Sequence, residues 1–198
     1  WGVGTSRTVR PHWAMAELGL KYETYAIGPR TGETKTAEYT KLNPRQKVPM
    51  LQDGDFSIGE SAAIVAYLAR TYGTQDVSLI PDDKRAYAKW LEWCFFIVTE
   101  LDSTSLYVMR VDSEGALGHI YGDAPNVTAK AGEYFREQLR HVEVALEDGR
   151  SFLMGDQFTS ADILLTTCLE WAIAYNVGIC DNAHPYLERI KTRPGYLR

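Results

Sequence analysis

Three short stretches place hydroxyls, amides and a carboxylate where the chain turns into a helix or a strand. The first is Gly4-Thr5-Ser6-Arg7, just ahead of a run with helical spacing. Hydroxyls there lie beside the open N–H groups of a helix N-terminus, a setting that stabilises negative charge. The plainer role for Thr5 or Ser6 is to cap that helix. The second is Asn43-Pro44-Arg45-Gln46-Lys47-Val48-Pro49. A proline that opens a strand beside a turn is a place for a cis peptide bond. A cis Val48–Pro49 would leave the N–H and C=O of Val48 facing outward, able to pair with an extended peptide. The alternative is an ordinary trans proline on an edge strand. The third is Gly59-Glu60-Ser61, immediately before Ala62-Ala63-Ile64. The Ser61 hydroxyl and the first helical amides can hold a carboxylate while Glu60 takes an ammonium group, which together fit an α-amino acid head. The alternative is again a plain cap.

The elements that must position these residues follow from periodicity. Trp1 to Val3 reads as the end of a strand, Thr8 to Leu18 as a helix with Val9, Trp13, Ala16 and Leu20 at helical spacing, and Tyr22 to Ile27 as a second strand. A short helix is expected near Thr36 to Leu42. Val48 to Gln52 and Phe56 to Ile58 flank Asp53-Gly54, a hairpin signal. Ser61 to Tyr72 is a third helix. The order β-α-β-α-β-β-α predicts a small mixed sheet with helices on its faces. Past Gly73 the pattern changes. Residues 76–83 read as a linker and 84–198 as helical, with helices at Lys84 to Met109, Asn126 to Leu146 and Ser160 to Tyr175. The last is apolar almost all round, so it should be the buried central helix. Thr159-Ser160-Ala161-Asp162 fits a capping box, with Asp in place of the usual Glu or Gln.

Composition narrows the function classes. The chain has 198 residues, 45% apolar and 24% charged, which describes a globular protein of one or two domains. Its net charge of −5 argues against nucleic acid as a main partner. Residues 1–75 carry +2 and residues 76–198 carry −7. A slightly basic first domain favours a small anionic ligand. Cys94, Cys168 and Cys180 form no Cys-x-x-Cys pair, and His12, His119, His141 and His184 have no metal-ligand spacing. Neither a disulfide framework nor a metal site is expected, and a reducing, cytoplasmic setting is the default. No secretory signal and no membrane-length apolar run is visible. The numbering opens at Trp1, and a few residues are expected to precede it.

Taken together, the three stretches resemble the glutathione transferase superfamily. Thr5-Ser6 with Glu17-Leu18-Gly19-Leu20, Asn43-Pro44 to Val48-Pro49, Glu60-Ser61-Ala62-Ala63-Ile64 and Thr159 to Asp162 all fall where that family places such motifs. The resemblance covers essentially the whole chain, apart from a truncated first strand. It implies an α+β protein, with a thioredoxin-like glutathione-binding domain at 1–75 and an all-helical domain at 84–198. It also implies a homodimer, with glutathione as co-substrate. Val48 would pair with the cysteinyl backbone beside Pro49, Glu60 and Ser61 would hold the γ-glutamyl end, and Gln46 or Lys47 would reach the peptide or its glycyl carboxylate. With neither a tyrosine ahead of the first turn nor a cysteine in it, the chain resembles the Ser/Thr-using bacterial and theta-, delta- or zeta-like classes. Counting back from Gly19 puts Thr5 at the activating position, with Ser6 beside it. A free thiol of pKa ~8.5 is only a few per cent thiolate at neutral pH. A hydroxyl donor at a helix N-terminus raises that fraction, and the thiolate attacks an electrophile.

Trp13, Ser105, Tyr107, Met109 and Arg110 are the expected lining of a pocket for a small hydrophobic electrophile, with core packing as the alternative for the apolar ones. The leading expectation is a glutathione S-transferase of the detoxifying kind. A glutathione-dependent isomerase, dehalogenase or disulfide reductase is a second reading, and a non-catalytic binding or regulatory protein a third. Glu60-Ser61 and Val48-Pro49 speak against the third, because a protein that had lost glutathione would not need them.

Overall fold

A computed structural model of the chain describes residues 1–113 and 116–196. Its contacts divide the chain into two compact units. One is Trp1–Pro81 joined by a C-terminal stretch that begins at Thr192, and the other is Asp82–Lys191. The range 84–198 read as the helical domain therefore gives up its tail to the first unit. Residues 114–115 and 197–198 of that range lie outside the described residues.

In the first unit the order is α1 (Ser6–Glu17), a 3₁₀ turn (Glu33–Lys35), α2 (Ala37–Leu42), β1 (Met50–Asp53), β2 (Phe56–Gly59) and α3 (Ser61–Tyr72). β1 and β2 form an antiparallel hairpin in the register Met50↔Gly59 to Asp53↔Phe56, turning at Asp53-Gly54. Among the described residues these are the two regular strands. Trp1–Val3 and Tyr22–Ile27, read as strands above, are extended and hydrogen-bonded without forming a ladder. Trp1 exchanges two backbone bonds with Met50, and Gly2 and Val3 donate to the carbonyls of Tyr25 and Ile27. The Ile27 N–H turns back to the carbonyl of its own neighbour Tyr25 at 2.8 Å, which removes a donor that a regular ladder needs. The core of this unit is Trp13, Ala14 and Met15 of α1 with Ile64, Val65, Leu68 and Ala69 of α3. The stretch after Thr192 returns to α1. Arg193 pairs with Glu17, and Tyr196 packs edge-on to Trp13 with ring centroids 5.1 Å apart.

The apolar face of α1 differs by one position from the expected stripe. Val9 is exposed, while Arg10 beside it is 1% exposed. Pro11 sits within the helix without ending it.

The second unit is helical: α4 (Lys84–Phe96), a π-helix (Ile97–Leu106), α5 (Tyr107–Val111), α6 (Gly118–Tyr121), α7 (Pro125–Leu146), α8 (Ser160–Ala174) and α9 (Ala183–Lys191). The long helix expected over Lys84 to Met109 thus changes its winding at Ile97. A wider turn of this kind leaves side-chain spacing too similar to α-helix to show in a 3.6-residue period. α8 is buried along one unbroken run from Ser160 to Leu169, as an all-round apolar helix should be. Asp162 closes its N-terminus: one carboxylate oxygen accepts from Leu153 N–H and the Tyr186 hydroxyl, the other from the N–H and hydroxyl of Thr159. Among the described residues no helix is long and apolar enough to cross a membrane.

Candidate functional site

The chain reaches α1 through two glycines with positive φ, Gly2 and Gly4. At Gly2 the reason is visible, since a Cβ there would stand 2.6 Å from Cβ of Val48. The absence of a side chain brings the start of the chain against the loop that carries Val48. Thr5 is then the N-cap of α1, and its backbone is extended. Its Oγ1 accepts from Thr8 N–H at 3.1 Å, while its own N–H donates to Thr8 Oγ1 at 2.9 Å, a reciprocal box built from two threonines. The Thr5 hydroxyl proton has Thr8 Oγ1 within reach at 3.2 Å. Thr8 Oγ1 itself donates to the Thr5 carbonyl at 2.9 Å. The cap fixes the Thr5 oxygen but needs only its lone pair, so the proton can be offered to an anion without breaking the cap. Ser6, half-buried at the first helical position, has no side-chain hydrogen bond to a described residue.

The second stretch is a loop pinned to α2. The Lys47 carbonyl accepts from the Tyr39 hydroxyl at 2.5 Å and from Asn43 Nδ2 at 2.8 Å. Asn43 Oδ1 in turn accepts from Arg45 N–H. The Val48–Pro49 bond is cis. Gln46 has positive φ, and its side-chain amide donates to Thr40 Oγ1 at 3.0 Å, which turns it toward α2. Lys47 is exposed.

At the third stretch Glu60 precedes α3 with φ 63 and ψ 115 and makes no side-chain bond to cap it. Glu60 is a non-glycine residue with a positive φ, and its carboxylate pairs with the Arg45 guanidinium. Ser61, 6% exposed, begins α3, and its Oγ accepts from Arg10 Nη1 at 3.1 Å.

These contacts close a circuit. Gly2 touches Val48, the loop of Val48 carries Arg45, Arg45 pairs with Glu60, Ser61 follows, and Ser61 is held by Arg10 four residues along α1 from Ser6. Thr5, Ser6, Val48, Pro49, Glu60 and Ser61 are gathered around two helix N-termini and one edge of backbone. Two positively polarised helix ends and an arginine favour an anionic ligand. A separate cavity of about 410 Å³ in the same unit shares only Pro49 with this set; its walls include Trp1, His12, Tyr22, Met50 and Leu68.

Arg10 and Arg45 were not assigned to the site on sequence grounds. For Arg10 there was a signal, because an arginine three and four residues before Trp13 and Ala14 falls on the apolar face of the helix. Only an internal partner stabilises it there. Arg45 lies 15 residues from Glu60, and no spacing rule connects them.

Of the expected electrophile-pocket residues, Trp13 is buried in the first unit with its indole N–H on Glu17 at 2.9 Å. The others lie in the second unit, Ser105 within the π-helix and Tyr107, Met109 and Arg110 in α5. Ser105 is fully buried, its hydroxyl on the Glu100 carbonyl at 2.5 Å. Met109 is buried with its sulfur against Gly132. Tyr107 and Arg110 are half-buried, and the Arg110 guanidinium lies 5.8 Å from the centre of the Trp171 ring. The cysteines are poor nucleophiles. Burial pushes the Cys94 thiol up to about 12 and raises that of Cys180, and Cys168 is buried. Among the described residues no cluster of His, Cys, Asp and Glu is placed to hold a metal ion.

Comparison with known proteins gives the family. Residues 1–70 match the family model "Glutathione S-transferase, N-terminal domain", and residues 125–197 match "Glutathione S-transferase, C-terminal domain". The chain is 32% identical over 181 residues to Glutathione S-transferase 2 of Schizosaccharomyces pombe, covering 83% of this chain and 68% of that one. It is 31% identical over 163 residues to Glutathione S-transferase 1 of the same organism, covering 76% of this chain; it spans only 64% of that relative's length. Among solved structures it is similar to the theta class glutathione S-transferase of Xanthomonas axonopodis pv. citri, which has glutathione bound. The TM-score there is 0.82 at 25% identity, over 98% of this chain and 91% of the other.

Proposed function

The chain belongs to the glutathione S-transferase family, and from that premise we propose that it binds glutathione in the first unit and activates its thiol for attack on a small hydrophobic electrophile. The observation that carries the reading is the circuit joining the N-termini of α1 and α3 to the Val48 backbone through Arg10, Ser61, Glu60 and Arg45. In this reading the γ-glutamyl carboxylate accepts from the Ser61 hydroxyl and the first amides of α3. The γ-glutamyl ammonium goes to Glu60, which exchanges or shares its present partner Arg45. The Val48 N–H and C=O pair with the cysteinyl backbone beside Pro49, and Lys47 faces the glycyl carboxylate. Gln46 supports the loop through Thr40.

The sulfur then lies at the start of α1. Thr5 donates its hydroxyl proton to the thiolate, Ser6 is the second donor, and the helix end adds a favourable field. Together these lower the thiol pKa by ~2 units, worth ~2.7 kcal/mol, the range of one charge-assisted hydrogen bond plus a dipole. The proton leaves to solvent, the thiolate forms a carbon–sulfur bond, and the electrophile's leaving group departs with the electron pair. Of the expected electrophile-side residues, the half-buried Tyr107 and Arg110 of α5 stay in the proposal, while Trp13, Ser105 and Met109 are packed in the cores of their units. The reading extends to a cytoplasmic homodimer with a role in detoxification, supported by the family and by the +2 and −7 charges of residues 1–75 and 76–198.

The test is calorimetric titration with glutathione followed by turnover on a panel of halogenated aromatics, epoxides, isomerisable substrates and mixed disulfides. Binding with conjugation of carbon electrophiles supports the reading. Binding with activity only on isomerisable, reducible or disulfide substrates moves the protein to the isomerase or reductase alternative. Absence of glutathione binding removes it.

A further inference from the structure

Arg10 is a cationic side chain with 1% of its surface exposed, on the helix that holds the proposed sulfur donor. Burying a guanidinium is costly unless its donors find partners. One of its partners is a neutral hydroxyl on another helix, 51 residues away: Nη1 donates to Ser61 Oγ at 3.1 Å in a fully enclosed contact. That choice has a chemical consequence. A serine oxygen that accepts from a cation must turn its own proton away from the cation, and the cation polarises its O–H into a stronger donor. Ser61 stands at the first position of α3, where the Ser61 and Ala62 amides are open to an anion. Glu60, the nearest acidic group in sequence, has no cap bond to this helix and pairs with Arg45 instead.

The geometry points to Arg10 as a positioning residue for the γ-glutamyl α-carboxylate. It acts through Ser61, holding the oxygen and aiming the proton that the carboxylate accepts, and it adds positive charge behind the N-terminus of α3. α1 thereby serves both ends of the same ligand: Thr5 and Ser6 at its first turn for the sulfur, Arg10 one turn later for the carboxylate. This inference rests on the proposed glutathione site, and it specifies which part of glutathione Arg10 governs.

The test compares two ligands by calorimetry: glutathione, and γ-aminobutyryl-cysteinylglycine, which is glutathione without its α-carboxylate. Wild-type protein should prefer glutathione by tenfold or more, the loss expected for a hydrogen bond to a charged group. Arg10→Gln should weaken glutathione about tenfold and leave the analogue within twofold, so the preference disappears. Ser61→Ala should lower the same preference, and adding Arg10→Gln to it should lower it no further. Equal weakening of both ligands in Arg10→Gln, or no weakening of either, overturns the assignment. If Arg10→Gln does not fold, Arg10→Lys decides: a point charge without the planar fork should reduce the preference at least threefold, and an unchanged preference overturns the proposal. Wild-type protein that binds neither ligand overturns the glutathione reading itself, a separate outcome.

Discussion

Two helices of this chain begin with a threonine cap and a reciprocal box, and the boxes lead to opposite results. At α8, Thr159 is paired with Asp162, whose carboxylate takes four hydrogen bonds in a fully buried setting. The helix end is closed by the protein's own buried, hydrogen-bonded carboxyl. At α1, Thr5 is paired with Thr8, a neutral residue that completes the box with hydroxyls alone. That end is half-buried, and its first turn has no acidic residue. Its field is left for a ligand. α3 reaches a similar condition by another route, because Glu60 makes no side-chain cap bond and pairs with Arg45 instead. A capped helix N-terminus is therefore a structural joint or an anion site according to whether the protein supplies the negative charge itself.

The contrast is most sharply broken at Asp162. Asp162→Ala removes the acceptor for two backbone N–H groups and the Tyr186 hydroxyl, all buried. It should cost ~3 kcal/mol or more, measured by denaturant unfolding, and leave glutathione affinity of the folded protein unchanged. A loss below 1 kcal/mol would mean that the α8 box is not the joint described. Ser61→Ala should show the reverse profile. Glutathione binding should weaken about tenfold, while stability falls by ~1.5–3 kcal/mol, less than at Asp162, because the buried Arg10 guanidinium loses one hydrogen-bond partner and α3 keeps its packing. Calorimetry and unfolding on the same preparation separate the two.

The α8 box and a cap at Thr5 or Ser6 were read from sequence, since caps act over three residues and a short window contains the whole interaction; the Thr8 half of the α1 box was not. At Val48–Pro49 the local window left cis and trans open, and at Glu60-Ser61 it left a ligand site and a plain cap open; the structure has the cis bond and no side-chain cap at Glu60. The partner of Arg10 was not legible, because it is 51 residues away, although the place of Arg10 beside Trp13 and Ala14 on the helix was a signal that the stripe drawn through Val9, which is exposed, passed over. The strands at Trp1–Val3 and Tyr22–Ile27 were recognised as extended, but the Ile27 N–H turned back onto the carbonyl of Tyr25 is a backbone choice with no side-chain signature. The return of the chain to α1 after Thr192, through Arg193 and Glu17, depends on a pair 176 residues apart.

A smaller effect concerns Asp53 at the hairpin turn. The Tyr72 and Tyr67 hydroxyls both donate to it and hold its carboxyl below the usual range, while Tyr72 is pushed up to about 12. An acid whose folded pKa is lowered contributes stability above its unfolded value near 4 and loses it as pH falls through the folded value. Asp53→Asn should therefore be slightly less stable than wild type at neutral pH and converge with it as pH falls through the lowered folded value, in a pH series of unfolding midpoints. Curves that stay parallel throughout would remove the Tyr–Asp contribution.

The claim that α1 keeps its N-terminus open for the glutathione sulfur is tested most directly by titrating the ultraviolet absorbance of the bound thiolate against pH. Wild type, Thr5→Val, Thr5→Ser and Ser6→Ala are compared. The thiol pKa should lie ~2 units below that of free glutathione in wild type and in Thr5→Ser. It should rise by ~1 unit or more in Thr5→Val, with turnover falling about 10- to 150-fold. Ser6→Ala should raise it less. An unchanged thiol pKa in Thr5→Val, Ser6→Ala and their double variant would contradict the account, because no hydroxyl at the start of α1 would then be holding the sulfur.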